Sequence, residues 1–238
     1  MPHSKLEIQK LQQQARYLEV INRFATILID AKSTEDIVWA IAKNAIAQLG
    51  YVDCVIYLLD EKQNILIQRA AHGTKNPIDL DILNPIKLEI GQGVVGSVAK
   101  TGQGEIVTDT SKDKRYVIDD DMRLSEIAVP IIYNKKVIGV IDSEHPDRNF
   151  YPPEDLEILT TIANMAATKL VQARHAEELR IYQEKLEQLV FERTAELERQ
   201  KSEITDSIEY ARTIQTAILP TDNLLNEFPI HNYQIRIV

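Results

Sequence analysis

One cysteine, Cys54, stands in 238 residues. A lone thiol excludes an internal disulfide framework and any Cys-based zinc cluster, and it fits a reducing compartment. Eight glycines and nine prolines are too few for a low-complexity or collagen-like chain. No apolar run approaches the roughly 20 residues of a membrane-spanning helix. The opening Met1-Pro2-His3-Ser4-Lys5 leads into a polar helical pattern, not a secretory signal. Positive charge is also scarce: 27 Lys and Arg against 36 Asp and Glu give a formal net charge of -9. That balance lacks the electrostatic footprint of a nucleic-acid binder and is repelled by anionic membranes. A cytoplasmic protein with neither nucleic acid nor membrane as partner is expected. The remaining composition, 44% apolar and 26% charged, is that of a folded chain.

The hydrophobic period then divides the chain. Leu11, Leu18, Ala25 and Leu28, with Ile8, Ala15 and Ile21 between them, predict an amphipathic helix over 1–32. Ser33 and Asp36 have capping-box spacing before a second helix, Ile37–Leu49, which Gly50 ends. The period next drops to strands. Val52–Leu59 and Ile65–Ala71 flank a turn at Asp60–Asn64, so they form a hairpin. Asn76–Asn84 is a loop, Val94–Lys100 a short helix among glycines, and Glu105–Thr108 a short strand. Asp109–Met122 is a charged loop with room for one helical turn. Glu126–Tyr133 and Val137–Glu144 form a second hairpin. Pro152 and Pro153 open a last helix, with Glu154 and Asp155 in its first turn and a buried stripe of Ile158, Leu159, Ile162, Met165, Ala166 and Leu170.

From 172 to 217 the chain has no proline or glycine. Leu179, Tyr182, Leu186 and Leu189 sit at a and d spacing of a coiled coil. Val190, Leu197, Ile204 and Ala211 continue the seven-residue period displaced by four, which is a stutter. With the preceding helix this makes a rod of about 90 Å at 1.5 Å per residue. A rod of that length cannot bury its stripe on so small a domain, so a homodimer is expected. Residues 218–238 end in an alternating strand pattern, Tyr233–Val238, which is expected to be the truncated start of a further domain in a longer protein.

Two segments resemble known families. Ile90-Gly91-Gln92-Gly93-Val94-Val95-Gly96-Ser97-Val98-Ala99-Lys100-Thr101-Gly102 resembles a GAF domain, as do Glu105–Asp109, Glu126–Ile131 and Val137–Ser143. The resemblance spans 18–171 and implies an α+β fold: a six-stranded antiparallel sheet flanked by helices, with a small-molecule pocket, followed here by the long coiled-coil helix. The glycines do not open a dinucleotide-binding βαβ unit. Ser207-Ile208-Glu209-Tyr210-Ala211-Arg212-Thr213-Ile214-Gln215-Thr216-Ala217-Ile218-Leu219-Pro220 resembles the segment that introduces metal-dependent serine phosphatases of the stage II sporulation protein E type. That resemblance implies Mn or Mg only in a downstream domain whose metal-binding aspartates this chain lacks. The fragment itself is therefore expected to carry no phosphatase activity, no catalytic residue, no metal and no cofactor, with an unknown small ligand possible.

The expected function is a dimeric sensory module. Its GAF-like domain binds a small ligand or partner and signals through the coiled coil to a phosphatase domain and its phosphoprotein substrate. The alternatives are a structural dimerisation module with an empty pocket, and an enzyme acting in the pocket. GAF relatives that reduce methionine sulfoxide use several cysteines. Cys54 is alone on a core strand and reads as a buried thiol, and His72 as a loop-facing side chain beside Gly73. The resemblance maps a pocket to the loops between Gly93 and Arg123, which makes Asp109, Asp113, Tyr116 and Met122 the candidate ligand-binding residues.

Overall fold

The computed structural model describes residues 2–73, 76, 80–82, 84–119 and 121–218. It divides into two units, Met1–Glu178 and Leu179–Val238. The expected strand at Tyr233–Val238, Leu219 and Pro220 lie outside the described residues, as does most of the loop between Gly73 and Asn84.

The first unit opens with α1 (Pro2–Asp30) and α2 (Thr34–Leu49). The junction is capped as the Ser33/Asp36 spacing predicts. The Asp36 amide donates to Ser33 Oγ at 3.0 Å, and the Ser33 amide donates back to Asp36 Oδ2 at 3.0 Å. These bonds hold the Asp36 carboxyl below its ordinary range, the Ser33 hydroxyl first among them.

Six strands follow: β1 (Cys54–Asp60), β2 (Ile65–His72), β3 (Lys87–Glu89), β4 (Glu105–Val107), β5 (Ser125–Tyr133) and β6 (Lys136–His145). Helix α3 (Gly93–Thr101) lies between β3 and β4 in sequence, and a single 3-10 turn, Thr110–Lys112, follows β4. The strands form one antiparallel sheet in the order β3-β2-β1-β6-β5-β4. Local chemistry sets both hairpins. Asp60 Oδ1 accepts the amides of Lys62 and Gln63 in the first. In the second, Asn134 and Lys135 are both left-handed, at φ 48° and 66°, so the loop is the two-residue kind that matches strand twist.

Alternation along the strands splits the sheet into two faces. Cys54 and Ile56 of β1, Ile127, Val129 and Ile131 of β5, and Ile141 of β6 point to one side. There they meet Val20, Phe24 and Leu28 of α1, Ile37 and Ile41 of α2, and Ile158, Leu159, Ile162 and Leu170 of α4 (Pro153–Ile218). Val55, Tyr57, Ala128 and Val140 point to the other side, where Val94, Val95 and Val98 of α3 cover them. The helix expected over 1–32 runs from Pro2 to Asp30. Leu28 is buried, but Ile8, Leu11 and Leu18 are exposed, and the core side is Val20, Phe24 and Leu28.

Gly139 shows how closely the central strands approach. A Cβ there would stand 2.4 Å from the Tyr57 carbonyl oxygen and 3.0 Å from Leu58 Cδ2. Backbone cannot yield as a side-chain tip can. Gly139→Ala is expected to destabilise the domain by about 2–3 kcal/mol, read as a lower urea midpoint at unchanged slope.

Candidate functional site

A carboxylate on a strand usually faces water. Here the face that carries Val55 and Tyr57 also carries Asp53, Glu126, Asp142 and Glu144, because the side chains at 53, 55 and 57 and at 142 and 144 share a side. Register brings them together: Glu126 pairs with Glu144, and Val55 with Asp142. Helix α3 and the segment 109–124 then return over this face and close it. The result is a cavity of about 20 Å³, lined by Asp53, Tyr57, His72, Glu126, Asp142 and Glu144 among apolar walls of Val55, Leu88, Val94 and Val117. That volume holds one water-sized group, so anything larger enters only if the covering segment lifts.

The electrostatics are one-sided. Asp142, Glu126 and Glu144 are 4%, 3% and 6% exposed. Burial first, then the neighbouring Glu126, pushes the Asp142 carboxyl well above the usual carboxylate range. Burial and then Glu144 do the same to Glu126. Glu144 rises to about 9 through burial and then Asp142 and Asp53, against the opposing effects of Tyr116 and Arg123. Asp142 and Glu126 hydrogen-bond each other, yet Asp142 Oδ1 is buried with no partner. His72 Nδ1 on the cavity wall is likewise without one. Asp53 is better satisfied: its Oδ1 accepts the Glu144 amide at 2.7 Å, and Arg123 Nε stands 3.9 Å from Oδ2. Among the described residues, no group of three or more His, Cys, Asp or Glu has metal-site geometry.

Raised carboxyl values make a pH prediction. Unfolded, these groups titrate near 4; folded, they keep their protons to higher pH, Glu144 to about 9. The native state therefore binds more protons than the unfolded chain across that window, and stability falls as pH rises through it. The melting temperature of the ligand-free protein should drop by about 5 °C or more between pH 6 and pH 9.5 in a thermal scan.

Two side-chain clusters help to pin the covering segment. Gln68 of β2 donates from Nε2 to Tyr57 Oη at 2.8 Å and to Asp119 Oδ2 at 2.6 Å, while its Oε1 accepts the Ile86 amide at 2.9 Å. Arg115 forms the second clasp, to Glu105 at 2.8 Å, Asp113 at 2.7 Å and Ser97 at 3.0 Å. Gly93 allows the segment to come down: a Cβ there would lie 3.3 Å from Val117 Cγ2, and its φ is +70°.

The four candidate residues read from sequence all lie in this covering segment, and none lines the cavity. Asp109 is tied outward to Lys112 and Arg148, at 2.9 and 3.1 Å. Asp113 serves the Arg115 clasp. Met122 is exposed. Tyr116 comes nearest: its hydroxyl accepts the Arg123 amide at 3.0 Å and hydrogen-bonds Glu144. His72 is the last residue of β2 and faces the cavity, not a loop. Cys54 is wholly buried on the opposite, helix-covered face, and burial pushes its thiol up.

The second unit carries the remaining candidates. Leu179, Tyr182, Leu186, Leu189, Val190, Leu197, Ile204 and Ala211 all lie on α4 and are exposed in the single chain. Among the described residues no helix is long and apolar enough to cross a membrane.

An antiparallel six-stranded sheet with helices behind it and a lined cavity in front defines a sensory ligand-binding fold. The chain belongs to the GAF domain family, whose sequence profile matches residues 31–170. It is 37% identical over 79 residues to the free methionine-R-sulfoxide reductase of Saccharomyces cerevisiae, covering 33% of this chain and 44% of that protein. The chain spans about half the length of the curated relatives it matches. Among solved structures, the GAF domain of an Acinetobacter phosphoenolpyruvate-protein phosphotransferase superposes with a TM-score of 0.60 at 21% identity, over 66% of this chain and 94% of that one. The free methionine sulfoxide reductase (fRMsr) of Staphylococcus aureus, complexed with its substrate, gives 0.55 at 26% identity, over 65% and 95%.

Proposed function

We propose that this chain is the sensory part of a dimeric signalling protein, and that its cavity binds a small ligand through an ammonium group. The observation that carries this reading is Asp142: a wholly buried carboxyl with an oxygen lacking any partner, beside Glu126 and Glu144. Ionising these buried carboxyls is costly without a counter-charge, which an entering ammonium supplies. An ammonium offers three donors and a positive charge in the volume of a water, which suits three convergent carboxyls. The relative from yeast is named for a free amino acid derivative, methionine sulfoxide. A free amino acid with a short apolar side chain fits the same demands here, its chain against Val55, Leu88 and Val94.

Binding without turnover is the favoured reading. The only thiol, Cys54, lies on the far face of the sheet from the cavity. Binding then biases the covering segment and, through the sheet, the packing of α4. A ligand shifts such an equilibrium only by its differential affinity for the two states. Helix α4 continues to Ile218 without a proline or glycine, and its exposed apolar stripe pairs with a second copy. The Ser207–Pro220 resemblance makes the output a metal-dependent serine phosphatase domain in a longer protein.

Native mass spectrometry tests the reading. A dimer carrying a small extra mass that vanishes on denaturation supports it. A bare dimer favours a structural spacer with an empty pocket, and a bare monomer removes the dimer.

A further inference from the structure

On the helix-covered face of the sheet, beside the apolar Ile127 and Ile141, stands a hydroxyl. It belongs to Ser143 of β6, which is fully buried between two residues, Asp142 and Glu144, that face the cavity. Ser143 Oγ donates to the Asp53 backbone carbonyl at 2.6 Å and lies 2.9 Å from the Tyr151 hydroxyl. A serine hydroxyl has one proton, so with the carbonyl served, Tyr151 donates to Ser143. Tyr151 is buried two residues before α4 opens, its ring edge-on to Tyr51 and Phe150 with centroids 5.2 and 5.0 Å apart. Asp53 has a group on each side of the sheet. Its carbonyl holds Ser143, while its carboxyl lines the cavity and accepts the Glu144 amide at 2.7 Å. Phenylalanine at 151 and alanine at 143 would fill this space with no hydroxyl to satisfy, so packing alone does not call for the pair.

We propose that Asp53, Ser143 and Tyr151 form a relay that carries a change in the cavity through the sheet to the start of α4. Asp53 is the receiving end. After burial and a nearer acidic neighbour, its charge is the next cause that raises both Asp142 and Glu144. A cation that ionises that pair therefore changes the force on Asp53. Asp53 stands one place before β1, outside the strand ladder, so its backbone can answer. Movement there shifts the carbonyl that Ser143 holds, and the Tyr151 hydroxyl follows. Pro152 and Pro153 then join Tyr151 to the first turn of α4 with φ fixed at two successive residues, which makes the joint stiff. Such a chain of hydrogen bonds is a physical route for coupling only if its two ends respond to each other. A mere staple would hold α4 in place without answering to Asp53.

The inference rests on the ligand site proposed above and adds the route by which that site reaches α4. Hydrogen exchange on the full chain without ligand tests it as a double-mutant cycle. Asp53→Asn perturbs the cavity end. Tyr151→Phe cuts the far end, removing one hydroxyl and keeping the ring. Exchange over 156–165 of α4 is read relative to β5 in the same sample, so a uniform loss of stability cancels. Asp53→Asn is expected to speed exchange over 156–165 about fivefold in the unsubstituted chain, and less than about twofold once Tyr151 is replaced. Ser143→Ala in place of Tyr151→Phe should abolish the effect alike, and Glu144→Gln replaces Asp53→Asn as the perturbation if that variant does not fold. An Asp53 effect of equal size with and without the Tyr151 hydroxyl overturns the relay and leaves a staple. No effect of Asp53 on α4 in the unsubstituted chain overturns it as well. With free valine as the probe, Tyr151→Phe should bind within about twofold of the unsubstituted chain but lose the response of α4. Failure of the unsubstituted chain to bind valine counts against the ammonium site alone, because the ligand-free cycle decides the relay without it.

Discussion

Asp142→Asn is expected to lower the affinity of the cavity for an ammonium-bearing ligand by about 100-fold while leaving the domain folded. Asn keeps the shape and the hydrogen bond to Glu126 but removes the charge that an ammonium would meet. A charge-assisted bond in a buried site contributes about 3 kcal/mol, hence two decades in the dissociation constant. Glu144→Gln should behave alike. Both variants should also flatten the loss of stability at alkaline pH, because each deletes a group whose raised value links folding to protons. Asp109→Asn and Asp113→Asn provide the contrast. Their carboxyls are held low by Ser111 and by Arg115 in turn, and neither reaches the cavity. A change of less than about twofold is expected at each. Calorimetric titration of the four variants separates a site on the sheet from a site in the covering segment.

The second large effect is expected from Leu186→Pro. Proline there removes the amide that α4 donates to the Tyr182 carbonyl and crowds that carbonyl, at a cost of about 3 kcal/mol per helix. If the α4 stripe holds two copies together, the dimer dissociation constant should rise at least about 100-fold by sedimentation. Ligand affinity should not change, because the cavity lies wholly within the first unit. In a longer protein with a phosphatase output, the same substitution should leave activity present but indifferent to ligand. An undiminished dimer, or undiminished regulation, would remove α4 from the signal path.

The fold was largely legible because its signals are local. The Ser33/Asp36 cap, the β-branched runs of β1 and β5, the turns at Asp60 and Asn134, and Pro153 with Glu154 and Asp155 each act within a few residues. Strand β3 was not legible: Lys87-Leu88-Glu89 has one apolar residue, and only its pairing with β2 makes it a strand. The two stripes of α1 overlap in sequence, and periodicity cannot tell which one the core takes.

The site was less legible for a related reason. On β5 and β6, Glu126, Asp142 and Glu144 alternate with Ile127, Ile141 and Ser143, which reads as a sheet with one wet face. They are buried only because α3 and the 109–124 segment come back from elsewhere in the chain. The available signal was the coincidence of three acids on one face of two paired strands, with Asp53 on the strand beside them. Of the aspartates in the charged loop, Asp109 and Asp113 are tied to Lys112, Arg148 and Arg115, whereas Asp119 lines the cavity.

Titration of the protein with free valine, an amino acid with a short apolar side chain, by calorimetry at pH 7 in two buffers of different ionisation heat, tests the carboxylate cavity most directly. An ammonium entering beside Asp142, Glu126 and Glu144 must drive protons off groups whose values burial has raised. The predicted result is binding whose apparent enthalpy differs between the buffers by the heat of the released protons, affinity that grows from pH 6 to pH 8, and no binding of the N-acetylated analogue. Equal binding of the two compounds, with no proton released, would contradict a site built for a cation.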